Sequence, residues 1–359
     1  MLEEKEPLLV VNHLKKYFST KKGMLHAVDD VSFTIAAGKT LGVVGESGCG
    51  KSTLGKTILR LTEPTAGQVI LDGEDIAGMS RARLRKARLK MQMVFQDPYS
   101  SLDSRLSVAN LIADPIRVNH ICTNKKEIYE RVDMLMDTVG LSPRLRDAYP
   151  HELDGGRRQR IGIARALALD PRFIVCDEPV SALDVSIQAQ ILNILMDLKE
   201  DKGLTYIFIT HDLSVVKHIS DEIAVMYLGQ CVEKATSDEL FRHPLHPYTK
   251  ALLSAIPVPN LSKRHARPTV IRGEVGNPID PKPGCRFAPR CDHACEKCTG
   301  ADIPLTEVAP GHYVSCALFG GTCEPDVPTE AGTEHAVEAA YRKENGKLSE
   351  NEWVPVCRT

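Results

Sequence analysis

The stretch Val43 to Thr53 reads VVGESGCGKST, and Gly45, Gly50, Lys51 and Ser52 within it hold the spacing G-x-x-x-x-G-K-[ST]. Glycines so placed let backbone N–H groups from Glu46, Ser47, Gly48 and Cys49 converge on phosphates, with a helix N-terminus behind them. Lys51 then suits the β- and γ-phosphates, and the Ser52 hydroxyl suits Mg²⁺. Further along, Phe173-Ile174-Val175-Cys176 is a wholly apolar run that ends in Asp177-Glu178-Pro179. A single acid there is commonly a cap or a surface charge. Two acids after four apolar residues, in a chain with a phosphate loop, point to one group near Mg²⁺ and one acting on water. Gln96 follows the apolar run Met91 to Phe95, and His211 follows Thr205 to Ile209. Each is placed to reach a metal, a water or a γ-phosphate, although glutamines at strand ends are usually plain loop residues. Upstream, Tyr17 and Phe18 offer a ring to an adenine base, with the register favouring Phe18 and core packing the competing role.

These side chains must be held by a parallel α/β sheet, because ligands bind at the carboxyl ends of such strands. Thr40 to Val44 reads as the buried strand before the loop, and Ser52 to Arg60 as the helix after it. Leu8 to Val11 and Ala27 to Ile35 read as edge strands around the polar loop Ser19 to Gly23. Gln68 to Gly73 adds a strand and a turn, and Arg81 to Lys90 is a solvated helix face. Residues 107–148 carry helical periodicity with breaks at Pro115 and at Gly140-Leu141-Ser142-Pro143. A helix from Leu153 to about Leu169 and another from Ile187 to Lys202 flank the acidic pair.

The chain has 359 residues and a net charge of −2, enough for one large α/β domain with an appendage and without the basic footprint of a nucleic-acid binder. Its charged start, Met1 to Glu6, predicts no secretory signal, and no apolar run reaches bilayer length, so a soluble cytosolic chain is expected. Its 11 cysteines crowd only after residue 284, which in a reducing compartment favours ligation over disulfides.

The ordered set GESGCGKST, VFQDP, LDGGRRQR, FIVCDEP, SALD and ITHD resembles the ATP-binding subunit of an ABC transporter, from about Leu9 to Pro257. His243 to Pro257 is similar to the segment found in the oligopeptide, dipeptide and nickel importers. The resemblance implies a P-loop NTPase nucleotide-binding domain with a RecA-like mixed sheet core, an antiparallel β subdomain and a helical subdomain at about 100–168. It places ATP and Mg²⁺ on Phe18, Gly45 to Thr53 and Asp177, with Gln96 as the Q-loop ligand, Glu178 as catalytic base, Asp184 ending the D-loop and His211 as the switch histidine. It also implies a peripheral place on the cytoplasmic face of the membrane. There the chain would work with a second ATPase subunit, two transmembrane permease subunits and, indirectly, an extracytoplasmic binding protein. A nickel or small-solute importer is the alternative cargo class. DNA-repair and translation ATPases of this superfamily would carry a coiled-coil insertion or a second cassette, and a regulatory module without turnover would not keep Glu178 and His211.

One motif departs from the family. Where LSGGQ is usual, this chain has Leu153-Asp154-Gly155-Gly156-Arg157. In the family's head-to-tail dimer that motif faces the partner's phosphate loop. An ionised Asp154 can only accept hydrogen bonds and sets like charge beside a γ-phosphate, which opposes binding by roughly 4 kcal/mol at ~4 Å and an effective dielectric near ~20. Arg157 can neutralise Asp154 or bind the phosphate, and Asp154 equally suits a helix cap. The expectation is a heterodimer with one competent and one weak site, in which Asp154, Gly155 and Gly156 still hold nucleotide.

Beyond Pro257 the composition turns to Pro, Gly and polar residues. Cys285, Cys291, Cys298 and Cys316 follow in a spacing that resembles the carboxyl-terminal motif of the peptide-importer ATPases, where it is associated with an iron–sulfur cluster. A [4Fe-4S] cluster, Zn²⁺ or bare thiols all remain open for this extension, 258–323, with Cys295 as a spare. Residues 324–359 form a polar tail with a marginal helix at Ala336 to Lys347.

Overall fold

The computed structural model describes residues 7–256, 271, 273–274 and 276–319, all within one compact unit. An eight-stranded sheet forms its centre. Five of its strands are β3 (Thr40–Val44), β6 (Met91–Val94), β7 (Phe173–Asp177), β8 (Thr205–Ile209) and β9 (Glu222–Tyr227). They run parallel in the order β9-β3-β8-β7-β6. All five residues of β3, β7 and β8 are buried, as expected where both faces of a sheet are covered. Alternate side chains feed two cores. Phe173, Val175, Ile207 and Ile209 join one, while Ile174, Cys176, Tyr206 and Phe208 join the other.

The first core is shared with a four-stranded antiparallel sheet of β1 (Pro7–Thr20), β2 (Gly23–Ala36), β4 (Ala66–Leu71) and β5 (Glu74–Asp75), in the order β2-β1-β4-β5. The reading of Leu8 to Val11 as an edge strand is corrected here. β1 pairs with β2 on one side and β4 on the other, because Leu9, Val11 and Leu14 bury their side chains while both edges of the backbone find partners. Between these sheets lies α1 (Lys51–Ile58), while α2 (Arg81–Lys90) packs beside β6 through Leu84 and exposes most of its basic residues.

Helices α3 (Pro98–Ser101), α4 (Val108–Val118), α5 (Lys125–Thr138) and α6 (Gly155–Leu167) make the helical lobe. The expected break at Pro115 does not occur. α4 runs through the proline because Ile112, Ala113 and Ile116 are fully buried against α5 and α6, and tertiary packing of that face offsets the lost hydrogen bond.

After β7 the chain adds α7 (Val185–Lys202), α8 (Leu213–Ile219), β10 (Gln230–Thr236), α9 (Ser237–Arg242) and α10 (Pro247–Ser254). The cysteine-rich extension then joins the same central sheet. β12 (His312–Val314) pairs antiparallel with β10, and β11 (Thr306–Ala309) pairs with β12. The joint is bolted by Glu233, fully buried, which accepts from Leu245 N (2.7 Å), His246 N (2.9 Å) and the His312 ring (2.8 Å). The linker 257–270, Cys323 and the helix expected at Ala336 to Lys347 lie outside the described residues.

Candidate active site

β3, β8, β7 and β6 are consecutive neighbours, so their carboxyl ends place the phosphate loop, His211, Asp177-Glu178 and Gln96 along one edge of the sheet. The loop turns directly into α1, whose N-cap is Gly50 with no side-chain cap. No side chain caps its first N–H groups, and Lys51, Ser52 and Thr53 line an open groove, which suits an anion. Two glycines are required by geometry. A Cβ on Gly45 (φ +150°) would lie 2.2 Å from Met226 O, and one on Gly50 (φ +103°) would lie 2.0 Å from Ala27 O. Lys51 is buried, its ammonium held by the carbonyls of Gly45 (2.8 Å) and Glu46 (3.0 Å).

Ser52 Oγ donates to Asp177 Oδ1 at 2.6 Å, so hydroxyl and carboxylate already converge from loop and strand. Burial, with the neighbouring charge of Glu178, holds the Asp177 carboxyl above its ordinary value, and the Ser52 hydrogen bond and the lysines at 56 and 51 offset only part of that rise. Two hard oxygen donors at one point fit Mg²⁺. Glu178 sits in the left-handed region (φ 45°), a costly conformation for this residue type, and its N–H is tied to Ile209 O at 2.9 Å. One oxygen, Oε2, accepts from Gln96 Nε2 at 2.9 Å and lies 3.4 Å from His211 Nδ1. Gln96 thus meets Glu178, and Ser52 meets Asp177, the chain neighbour of Glu178, with Ser52, Gln96 and Glu178 lining one groove.

A groove of about 260 Å³ runs past these groups, lined by Phe18, Ser47, Gly48, Lys51, Thr53 and Glu178 among others. Phe18 is more than a third exposed, with Lys16 Nζ 4.7 Å from its ring centre, and faces this groove. Tyr17 takes a different part: its ring stacks on His26 at 3.9 Å and its hydroxyl donates to Asp29. The groove also has walls that local motifs did not announce, namely His26, Leu228, Gly229 and Pro278. Gly229 N donates to Cys49 O (2.8 Å) and Pro278 O accepts from His26 N (3.0 Å), contacts made across long stretches of sequence.

The departed motif lies elsewhere on the surface. Asp154 is the N-cap of α6 and accepts from Arg157 N at 2.8 Å. Arg157 Nε lies 3.4 Å from the other carboxylate oxygen, both side chains being more than half exposed. The helix-cap role and the neutralising role of Arg157 therefore coexist, and solvent screens the charge further. Gly155 and Gly156 open the same helix, and Asp184 caps α7 through Ile187 N at 3.0 Å.

The four cysteines 285, 291, 298 and 316 come close enough to influence one another's thiols. Burial, followed by its neighbours at 285, 291 and 298, pushes Cys316 up to about 12. Cys285 N donates to Cys298 O at 2.9 Å, and Cys295 Sγ lies 3.7 Å from Cys298 Sγ. Among the described residues, however, no three His, Cys, Asp or Glu side chains are arranged to hold a metal ion. Cys49, Cys176 and Cys231 are buried in packing and Cys122 half-buried.

The ABC transporter family matches residues 28–181, and the oligopeptide/dipeptide transporter C-terminal region matches residues 232–298. The chain is 52% identical to the oligopeptide transport ATP-binding protein OppF of Bacillus subtilis (strain 168), over 87% of this chain and 96% of that protein. It is 50% identical to a probable peptide ABC transporter ATP-binding protein, y4tS, of Sinorhizobium fredii, over 87% and 90%. Among solved structures, an ATP-binding cassette captured as a dimer after hydrolysis, with ADP and Pi, superposes with a TM-score of 0.60 at 28% identity, over 64% of this chain and 98% of that one. cbiO1 of Clostridium perfringens, part of an ABC transporter complex, gives 0.59 at 28% identity over 67% and 92%. With its strand-end site and both family regions in place, the chain belongs to the ABC transporter ATP-binding subunits of the oligopeptide/dipeptide type, and is an ATPase.

Proposed function

We propose that this chain's ATP hydrolysis drives import of oligopeptides and dipeptides through a multi-subunit transporter, from a peripheral position on the cytoplasmic face of the membrane. The observation that carries the reading is the meeting of Gln96, His211 and Glu178 on one carboxylate, beside the Ser52–Asp177 pair. The oligopeptide/dipeptide region at 232–298 and the peptide-transport names of the relatives support the cargo class. No described helix is long and apolar enough to cross a membrane, so the permease role falls to other subunits. A groove lined by Leu61, Phe95 and Arg165 supports docking of one of the two permease subunits on this chain.

In this reading ATP with Mg²⁺ supplies the phosphoanhydride and the charge clamp. Lys51 exchanges its two carbonyl partners for phosphate oxygens, and Ser52 with Asp177 holds the metal. Glu178 accepts the proton of the attacking water, Gln96 and His211 fix its carboxylate, and Phe18 stacks on the base. The partner is a second ATPase subunit whose signature retains serine and glutamine, completing this chain's own phosphate site. Asp154 and Arg157 make the reciprocal site the weak one. Cys285, Cys291, Cys298 and Cys316 would be the ligands of a [4Fe-4S] cluster, with Zn²⁺ the competing ligand. Four buried or half-buried thiols are the donor set either group needs, and a bound cluster would staple the extension.

Reconstitution in proteoliposomes with its permease, the second ATPase subunit and the extracytoplasmic binding protein tests the assignment. Peptide-stimulated ATP hydrolysis is expected, and basal hydrolysis unmoved by any peptide would overturn the cargo class. Iron and sulfide analysis of anaerobically prepared protein tests the cluster, and zinc alone in colourless protein would refute it.

A further inference from the structure

Glu46, the second residue of the phosphate loop, is gripped from three directions. Its carbonyl accepts from Lys51 Nζ (3.0 Å) and its N–H donates to the Tyr248 hydroxyl (2.9 Å). Its carboxylate receives Arg290 as a fork, Nη1 at 2.9 Å and Nη2 at 3.2 Å. Only Lys51 is local. Tyr248 lies on α10 and Arg290 between Cys285 and Cys291, both inside the region 232–298 that marks this branch of the family. Arg290 is itself locked: its side chain is 8% exposed, it bonds the Tyr227 hydroxyl at 3.2 Å, and it lies against the rings of Tyr227 and Phe287. Tyr248 is fully buried, with its ring 4.7 Å from that of Tyr227.

A second contact joins the same extension to the other wall of the groove. Arg286 donates to Leu228 O and pairs with Asp29. Burial alone would raise the Asp29 carboxyl, but Tyr17, His26 and Arg286 together hold it below the ordinary range. Asp29 N in turn binds Gly229 O at 2.8 Å, and Leu228 and Gly229 line the groove.

We propose that Arg290 and Tyr248 are positioning residues of the ATP site, through which the carboxyl-terminal extension holds the phosphate loop at Glu46. Two physical effects follow from the geometry. The fork and the hydroxyl pin residue 46 by side chain and backbone, so the N–H groups beyond it stay aimed at phosphate when Lys51 releases the Glu46 carbonyl. The guanidinium also neutralises a carboxylate that stands in the loop receiving a polyanion. Left unpaired, that carboxylate would repel the nucleotide.

The test is equilibrium binding of a fluorescent Mg-ATP analogue to the full-length chain, with no turnover required. Arg290→Met is expected to weaken binding about tenfold, and in a Glu46→Gln background the same change should cost less than about twofold, since the charge it neutralises is gone. Arg290→Lys should restore part of the loss by returning charge without the fork, and Tyr248→Phe should weaken binding severalfold. The apparent KM for ATP should rise in step while kcat at saturation holds. Arg290→Met binding as tightly as the parent, or losing the same factor with Glu or Gln at 46, overturns the proposal. If Arg290→Met does not fold, Arg290→Lys and Tyr248→Phe decide: unchanged affinity in both also overturns it. The parent chain's own affinity for the analogue tests the ATP site separately.

Discussion

At the scale of single residues, the carboxylate of Glu178 is set apart from binding. It contacts Gln96 and His211, while Lys51 holds the carbonyls of the phosphate loop and Ser52 bonds Asp177. Glu178→Gln should therefore slow turnover by ~10²–10⁴-fold while Mg-ATP affinity stays near that of the parent, read by single-turnover assay and by analogue binding. Asp154 offers a contrast. Because it caps α6, Asp154→Ala should lower stability by ~1 kcal/mol in urea unfolding, while Asp154→Ser should hold it nearly unchanged. A loss as large for serine as for alanine would contradict the cap. These chemical residues are legible in the sequence because each sits in a short local pattern. Arg290 and Tyr248 are not, since a fork onto a residue 244 positions away leaves no local trace.

At the scale of elements, the parallel strands are readable because burial on both faces forces continuous apolar runs, as in Phe173 to Cys176. The helix through Pro115 and the double pairing of β1 are not, since each is decided by tertiary partners that propensity does not contain. The joint between β10, α10 and β12 belongs to the same class. Glu233→Ala would leave three donors without an acceptor and should cost ~3–5 kcal/mol, seen as a large fall in the urea midpoint. His246, the N-cap of α10, is depressed to about 4 by burial. In the native state it stays neutral where the unfolded chain takes up a proton, so stability present above pH ~6.5 falls as pH drops towards ~4, by ~2 kcal/mol at pH ~5. His246→Asn, which still caps, should flatten that part of the profile. An acid profile identical to the parent's would show that His246 is not its source.

At the scale of the whole molecule, the chain presents a phosphate loop with an intact catalytic row and, on another surface, a signature whose serine and glutamine are replaced by Asp154 and Arg157. Sequence pattern alone locates both stretches, and the fold sets them on different surfaces. The extension was expected as a small stapled appendage. Instead it completes one edge of the central sheet and reaches the groove through Pro278, Arg286 and Arg290. Assembly with a partner that carries the usual signature should give one strong site, built on this chain's loop, and one weak site built on the partner's. The direct measurement is ATP turnover of the assembled transporter carrying Glu178→Gln in this chain, against the matching substitution in the partner. The account predicts near-complete loss from the first and a much smaller loss from the second, and equal losses from the two would contradict it.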